Sequence, residues 1–293
     1  MELIGIVGTG VMGLTAAGKI IKAGHSVSVY DVSPDAAARV GQLGAQIAKS
    51  PAEVAGKSDI VLLFLPGPIE VNNCVAGAEG LLSAMQPGKI IVDMSTSDPT
   101  MSEQMAQLAE GKGIDFLDAP VLGRPSAVGH WALPVGGKSD AIERCKPVFK
   151  HVAANIFHAG PVGAGHKIKL LNQLMFGAIN AMTAEMMAIA DKVGIAPKRL
   201  FEIITASQAG TVSNLFKELG QRIAQDNYDN PTFTIDLLVK DVKLAARMAS
   251  EKNAPPILAR TIELINEVSQ VQGLGNQDTA IMWQSYRKIW GSE

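Results

Sequence analysis

The stretch Leu3-Ile4-Gly5-Ile6-Val7-Gly8-Thr9-Gly10-Val11-Met12-Gly13 decides how this chain folds. Its apolar opening, 3–7, reads as a short buried strand. Its close opens a helix running from Val11 to Ala23. A second strand, Ser26-Val27-Ser28-Val29-Tyr30, ends in Asp31. Each glycine has its own physical role. Gly8 permits the tight strand-to-helix turn, Gly10 lets backbone approach a pyrophosphate, and Gly13 lets helix and strand pack closely. The helix N-terminus offers free N–H donors and the positive end of a dipole. Asp31 stands about 20 residues further on, where a carboxylate accepts hydrogen bonds from an adenosine ribose. A lone GxGxxG is often only a glycine-rich turn. Strand, glycines, helix, strand and acid in this order predict dinucleotide binding through Gly8, Thr9, Gly10, Val11, Met12, Gly13 and Asp31.

The rest of the chain fits an enzyme of ordinary size. Its 293 residues suit one large domain or two ordinary ones, and 47% hydrophobic content supplies a sizeable core. Net charge is −2 with both signs scattered, so neither a nucleic-acid surface nor a polybasic membrane patch is expected. Cys74 and Cys145 form no metal spacing and no disulfide framework, which points to a reducing compartment. The apolar runs, such as Ile60 to Leu65, are too short to span a membrane, and Leu3 to Val7 lacks the basic start of a signal peptide. A cytoplasmic protein is the expectation.

Short β-rich runs alternate with helical stretches through the first half: 3–7, 27–30, 45–48, 60–65, 89–93, 114–117, 132–136 and 156–158 read as strands. This is the pattern of a parallel sheet wrapped by helices. Ile60-Val61-Leu62-Leu63-Phe64-Leu65 stops at Pro66-Gly67-Pro68, and Lys89-Ile90-Ile91-Val92-Asp93 stops at Met94-Ser95-Thr96. Ligands bind outside the carboxyl ends of such strands, so Leu65, Pro66 and Thr96 are candidate cofactor contacts. The character changes at Gly160-Pro161-Val162-Gly163-Ala164-Gly165. A long helix follows, from His166 to about Val193, ended by Gly194 and Pro197. Later helices are expected at 198–207, 213–226, 235–252, 257–272 and 279–289. The fold class is α/β, a Rossmann-type doubly wound sheet over 1–162, joined by a long interdomain helix to an all-α domain over 163–293.

A nicotinamide enzyme needs a group that manages a proton while the cofactor takes the hydride. His25, His151 and His158 read as packing or solvated histidines; His130 and His166 lie nearer the interesting loops. The long helix offers a better candidate. Lys169, Asn172, Gln173 and Phe176 share one helical face, and Lys167 points away from it. Gly163 and Gly165 clear the helix start so that a backbone or a ligand can approach. Lys240, before Asp241, reads alone as half of a surface ion pair.

These pieces together resemble the β-hydroxyacid dehydrogenase family, which includes 3-hydroxyisobutyrate dehydrogenases and tartronate semialdehyde reductases. The likeness rests on Gly8 to Gly13, on Asp93-Met94-Ser95-Thr96, on Asp118-Ala119-Pro120-Val121, on the run from Gly160 to Asn172, and on Leu237-Leu238-Val239-Lys240-Asp241. It spans nearly the whole chain in the right order. It implies an NAD- or NADP-dependent enzyme acting on a small acidic substrate with a hydroxyl on its β-carbon. Lys169 would relay the hydroxyl proton, Asn172 and Gln173 would hold the substrate, Ser95 and Thr96 would lie by the nicotinamide or substrate, and Lys240 would contact the cofactor. It also implies a homodimer or homotetramer.

The chain departs from the family in its substrate loop. The common form is DAPVSGG; here Leu122, Gly123 and Arg124 follow Val121. Arginine offers a planar, permanently charged fork for a bidentate oxyanion. A sulfonate or phosphonate head group would fit, and a glycine-arginine pair also occurs in relatives that resemble sulfolactaldehyde reductases. Arg124 facing solvent, or paired with an acidic neighbour, is the competing reading. Asp31-Val32 stands where NADP-using relatives usually carry Asn-Arg, which favours NAD; Ser33 and Arg39 keep NADP open. Rival readings are an imine reductase-like enzyme and a non-catalytic cofactor binder; Lys169 counts against both. A decarboxylating 6-phosphogluconate dehydrogenase would need a larger helical domain.

Overall fold

A computed structural model describes residues 2–170, 172, 193–195, 199, 203, 227–228, 231, 234–236, 238–239, 250, 253 and 255–289. The chain divides into two compact units, Met1–Leu174 and Met175–Glu293.

The first unit is built on β1 (Ile4–Val7), β2 (Val27–Tyr30), β3 (Gln46–Ile47), β4 (Ile60–Leu63), β5 (Ile90–Asp93), β6 (Asp115–Asp118), β7 (Trp131–Gly136) and β8 (Ala153–Gly160). They form one sheet in the order β3-β2-β1-β4-β5-β6-β7-β8. Every pairing is parallel except β6 with β7, which meet antiparallel at Asp118 and Gly136. The first six strands have the doubly wound dinucleotide-binding order, and the order reverses between β1 and β4. A crevice at the carboxyl ends of those two strands follows from that reversal.

Strand sequence explains the layering. Side chains alternate across a strand. Ile60 and Leu62 face one core with Ile4, Ile6, Ile90 and Val92. Val61 and Leu63 face the other with Val7, Ile91 and Phe116. The first core is roofed by α1 (Val11–Lys22), α2 (Pro34–Gly41) and α6 (Ser139–Phe149). The second is roofed by α3 (Pro51–Gly56), α4 (Pro68–Ala76) and α5 (Pro99–Glu110). Both faces are covered, hence the continuous apolar runs.

Helix starts are written locally. Pro34, Pro51, Pro68 and Pro99 occupy first turns, where the missing N–H costs nothing. Ser33, Ser50 and Asp98 cap α2, α3 and α5 by accepting from Ala36, Glu53 and Thr100 N–H. The short loops after β4 and β5 therefore end abruptly, at Pro68 and at Asp98-Pro99, close to the sheet's carboxyl edge.

Beside one-residue shifts at other ends, three boundaries differ from the sequence reading in ways that bear on the site. β4 ends at Leu63, not Leu65, because the Leu65 N–H donates to Ser95 Oγ at 2.9 Å instead of to the ladder. β8 runs from Ala153 to Gly160, well beyond 156–158; its outward residues are largely exposed, so the apolar pattern under-reports this edge strand. The helix after β8, here α7, begins at 164 and is described to 170 and at Asn172. It starts before His166 because a distant carboxylate caps it.

In the second unit the described residues include helices Ile257–Val271 and Met282–Ile289 and a 3-10 turn Thr279–Ile281. Ile235, Val239 and Ile281 form a small core there, and Thr234 and Asp278 make an isolated bridge. Gly194 has φ +84°, which suits the end of a helix. The expected helix ending at Val193 and those at 198–207, 213–226 and 235–252 lie largely outside the described residues. Among the described residues no helix is long and apolar enough to cross a membrane.

Candidate active site

Two neighbouring cavities line the carboxyl edge of the sheet and share Phe64, Leu65 and Pro66. The first, about 430 Å³, is lined by Gly8, Gly10, Tyr30, Asp31, Val32 and the α4 residues Glu70, Asn73 and Cys74, among others. The glycine loop forms its floor. Gly8 has φ +89°, and a Cβ there would collide with the Phe64 carbonyl. A Cβ on Gly13 would collide with the Gly8 carbonyl, whereas one on Gly10 would meet nothing within 4 Å. Gly8 and Gly13 are thus needed by the protein's own backbone, and Gly10 leaves open space where a diphosphate can approach. Val11 is exposed beside it.

Asp31 is held rigidly. Its Oδ2 accepts from Thr9 N–H at 2.6 Å and Thr9 Oγ1 at 3.1 Å, and its Oδ1 accepts from Ser33 N–H at 2.8 Å. Thr9 is fully buried behind the loop, so its hydroxyl serves Asp31. Among the described residues no lysine or arginine lines this cavity. Burial pushes the Cys74 thiol up to about 12, with the Asp93 carboxylate adding to it, so this cysteine stays a packed thiol at neutral pH.

The second cavity, about 260 Å³, is lined by Met12, Phe64, Leu65, Pro66, Met94, Ser95, Thr96, Val121, Gly123 and Lys169. Among the described lining residues Lys169 is the one cation. Nζ donates to the Val121 carbonyl oxygen at 2.7 Å, and among the described residues it forms no ion pair. Burial pushes its pKa below the ordinary lysine value. Lys167 points elsewhere, to Glu103 at 3.2 Å, so the face chosen from the helical spacing is the inward one.

The helix carrying Lys169 is anchored from below. Asp118 Oδ1 accepts from Gly163 N–H at 2.8 Å, and Oδ2 accepts from His166 N–H at 2.7 Å. A carboxylate at the end of β6 thus caps α7 across the sheet, which is favourable at a helix N-terminus. A Cβ on Gly165 would strike the Pro134 carbonyl, so this glycine admits backbone rather than ligand. Burial pushes the pKa values of both Asp118 and Asp93 up, while their hydrogen bonds and His166 oppose the shift.

Other candidates fall as follows. Ser95 lines the cavity but is buried, and its hydroxyl accepts from Leu65 N–H. Thr96 is exposed at the rim. Leu122 pairs with Ala132 in a β-bridge and does not line the cavity. Gly123 does; a Cβ there would strike the Trp131 ring. Arg124 is exposed next to it, outside the lining, and its carbonyl accepts from the Trp131 indole N–H at 2.8 Å. Asn172 is exposed. Gln173 and Lys240 lie outside the described residues. His25 and His151 place their Nε2 atoms 3.2 Å apart, and His158 is 3.0 Å from the Gly137 carbonyl oxygen, all away from the cavities.

The sequence reading missed Tyr30, Phe64, Glu70 and Asn73 as lining residues. Tyr30 ends β2 and Phe64 follows β4, so the strand-end rule that nominated Leu65 also covers them. Glu70, Asn73 and Cys74 share a helical face at i, i+3 and i+4. Among the described residues no group of His, Cys, Asp and Glu could hold a metal ion.

A switch-point crevice floored by glycines, with an acid at the end of β2 and a lysine beyond the β5 loop, defines an NAD(P)-dependent oxidoreductase. Residues 3–160 match the NAD binding domain of 6-phosphogluconate dehydrogenase, and 163–286 match the NAD-binding domain of NADP-dependent 3-hydroxyisobutyrate dehydrogenase. The chain belongs to the β-hydroxyacid dehydrogenase family. It is 32% identical over 290 residues to 2-(hydroxymethyl)glutarate dehydrogenase of Eubacterium barkeri, covering 98% of this chain and 96% of that one. It is 30% identical over 291 residues to mitochondrial 3-hydroxyisobutyrate dehydrogenase of Mus musculus, covering 97% and 87%. An imine reductase structure from Pseudomonas sp. shares the fold with a TM-score of 0.83 at 22% identity, over 97% of this chain and 99% of that one.

Proposed function

We propose that this enzyme interconverts a small β-hydroxy acid and its semialdehyde or keto acid, with Lys169 as the proton-transfer group. One observation carries the reading: a half-buried lysine, its pKa lowered by burial, lines the second cavity beside the β5 loop. A lysine with the ordinary value near 10.4 is a poor base at neutral pH; lowering it improves the match to the working pH. The bound nicotinamide supplies the hydride acceptor or donor. In oxidation Lys169 Nζ takes the hydroxyl proton as the carbon loses its hydride and C=O forms; in reduction Nζ returns that proton to the oxygen. The Val121 carbonyl holds Nζ in place.

The glycine loop, Val11, Leu65, Pro66 and Thr96 hold the dinucleotide, with Asp31 on the adenosine ribose. NAD is the preferred cofactor, because the fixed Asp31 carboxylate would repel a 2′-phosphate and no cation among the described residues lines that cavity. Arg124 is assigned to the acid head group from its place beside Gly123 at the rim, which favours a sulfonate or phosphonate. Asn172, Gln173 and Lys240 keep the substrate and cofactor roles that the family resemblance implies. A cytoplasmic homodimer or homotetramer completes the reading.

The test is oxidation of NADH and NADPH against short aldehyde and keto acids with matched carboxylate, sulfonate and phosphonate heads. Turnover with NADH on one head-group class supports the reading. Arg124→Ala should then raise KM for the preferred acid by about tenfold or more, the scale of a lost charge-assisted hydrogen bond; an unchanged KM removes Arg124 from the site. Silence on every acid with turnover of cyclic imines would replace the reading with imine reduction.

A further inference from the structure

The helix that carries Lys169 is tied down by a buried polar cluster that the proposed proton transfer does not use. His166 precedes Lys169 by one helical turn and is fully buried. Its Nε2 lies 3.2 Å from the Ser95 carbonyl oxygen, which can only accept, so Nε2 carries a hydrogen and donates it. Nδ1 lies 2.8 Å from the Ser102 hydroxyl on α5. Asp93 Oδ2, buried without a hydrogen-bond partner among the described residues, faces the ring at 3.9 Å, and Asp118 Oδ2 faces it at 3.7 Å. Ser95 in turn holds the β4–α4 loop through Leu65 N–H. One imidazole therefore joins α7 to α5 and to the two loops that wall the cavity.

We propose that His166 is a positioning residue for Lys169: its imidazole locks the first turn of α7 to Ser95 and Ser102 and so sets where Nζ stands. The inference rests on the reading of Lys169 as the proton-transfer group. An apolar residue of similar size would fill the volume but leave the Ser95 carbonyl and the Ser102 hydroxyl without this partner, and buried polar groups without partners are costly. Reaction is sensitive to such placement; a shift of about 1 Å at the reacting groups costs about a hundredfold in rate. His166 lines neither cavity and makes no hydrogen bond to Asp31 or the glycine loop, so dinucleotide affinity depends on it less than the placement of Nζ does.

The test compares His166→Ala, His166→Gln, Ser102→Ala and Lys169→Ala for kcat, KM, NADH affinity and the pH dependence of kcat. The titratable groups facing the ring are Asp93 on β5 and Asp118 on β6; Glu103 on α5 is paired with Lys167. His166→Ala should lower kcat by about a hundredfold with a much smaller change in NADH affinity. Its lysine-dependent pH limb should move up as Nζ regains water. His166→Gln should recover most of kcat, because its amide can still donate to the Ser95 carbonyl. Ser102→Ala should lose less than His166→Ala. Wild-type kcat in His166→Ala overturns the inference. So does a joint fall of kcat and NADH affinity in the Gln and Ser102 variants with an unmoved pH limb, the mark of a merely structural role. If His166→Ala does not fold, the other two variants decide. Full turnover in Lys169→Ala would instead remove the proposed function on which this stands.

Discussion

Among single residues, the glycines and the lysine separate folding from function. Gly10 and Gly13 belong to one motif but meet different surroundings: open space at Gly10, the Gly8 carbonyl at Gly13. Gly10→Ala should leave the thermal midpoint of the cofactor-free protein unchanged and weaken NADH binding by about tenfold or more, since a methyl would occupy the diphosphate's approach. Gly13→Ala should lower the midpoint itself. Thermal unfolding with and without NADH checks both. Lys169 carries the opposite trade-off. Its half-buried ammonium costs stability, which the proposed proton-transfer role would require. Its folded pKa is depressed, so the unfolded chain holds the proton more tightly, and stability rises as pH climbs from the folded value toward the ordinary one. Lys169→Met should therefore be more stable than wild type at pH 7, with the gap narrowing as pH rises through that interval. Paired denaturant titrations at several pH values measure it.

Among helices, strands and loops, local signals were legible and distant partnerships were not. Pro34, Pro51, Pro68 and Pro99, each after a Ser, Gly or Asp, mark four helix starts, a local signal the sequence reading left unused. The choice of Lys169 over Lys167 came from helical spacing and the neighbouring Asn172, and the two side chains do point apart. The true start of α7 was not readable, because its cap is Asp118, far away in sequence. Ser95 could be nominated from its strand end, yet nothing in the local pattern shows that Leu65 N–H uses its hydroxyl. His166 looked like one histidine near a loop; its burial depends on three elements converging. Asp118→Asn tests the cap. Its amide N–H₂ would face a backbone N–H, leaving a buried donor unpaired, at a cost of about 1–3 kcal/mol in urea denaturation. An unchanged midpoint would mean α7 does not depend on this carboxylate.

Across the molecule, strand order decides where chemistry can occur. The reversal between β1 and β4 opens the crevice, the loops after β4 and β5 wall it, and the rigid Asp31 carboxylate stands at the end of β2. The family follows from matches along 3–160 and 163–286. The proposed choice of substrate head group turns on Arg124, an exposed side chain whose target no periodicity encodes. Whether Lys169 moves the proton is decided by kcat and NADH affinity of Lys169→Ala, measured beside wild type on the preferred acid. Turnover should fall by about two to four orders of magnitude, the scale of a lost general acid–base group, with NADH affinity unchanged. Turnover near the wild-type value would contradict a proton-transfer role for this lysine.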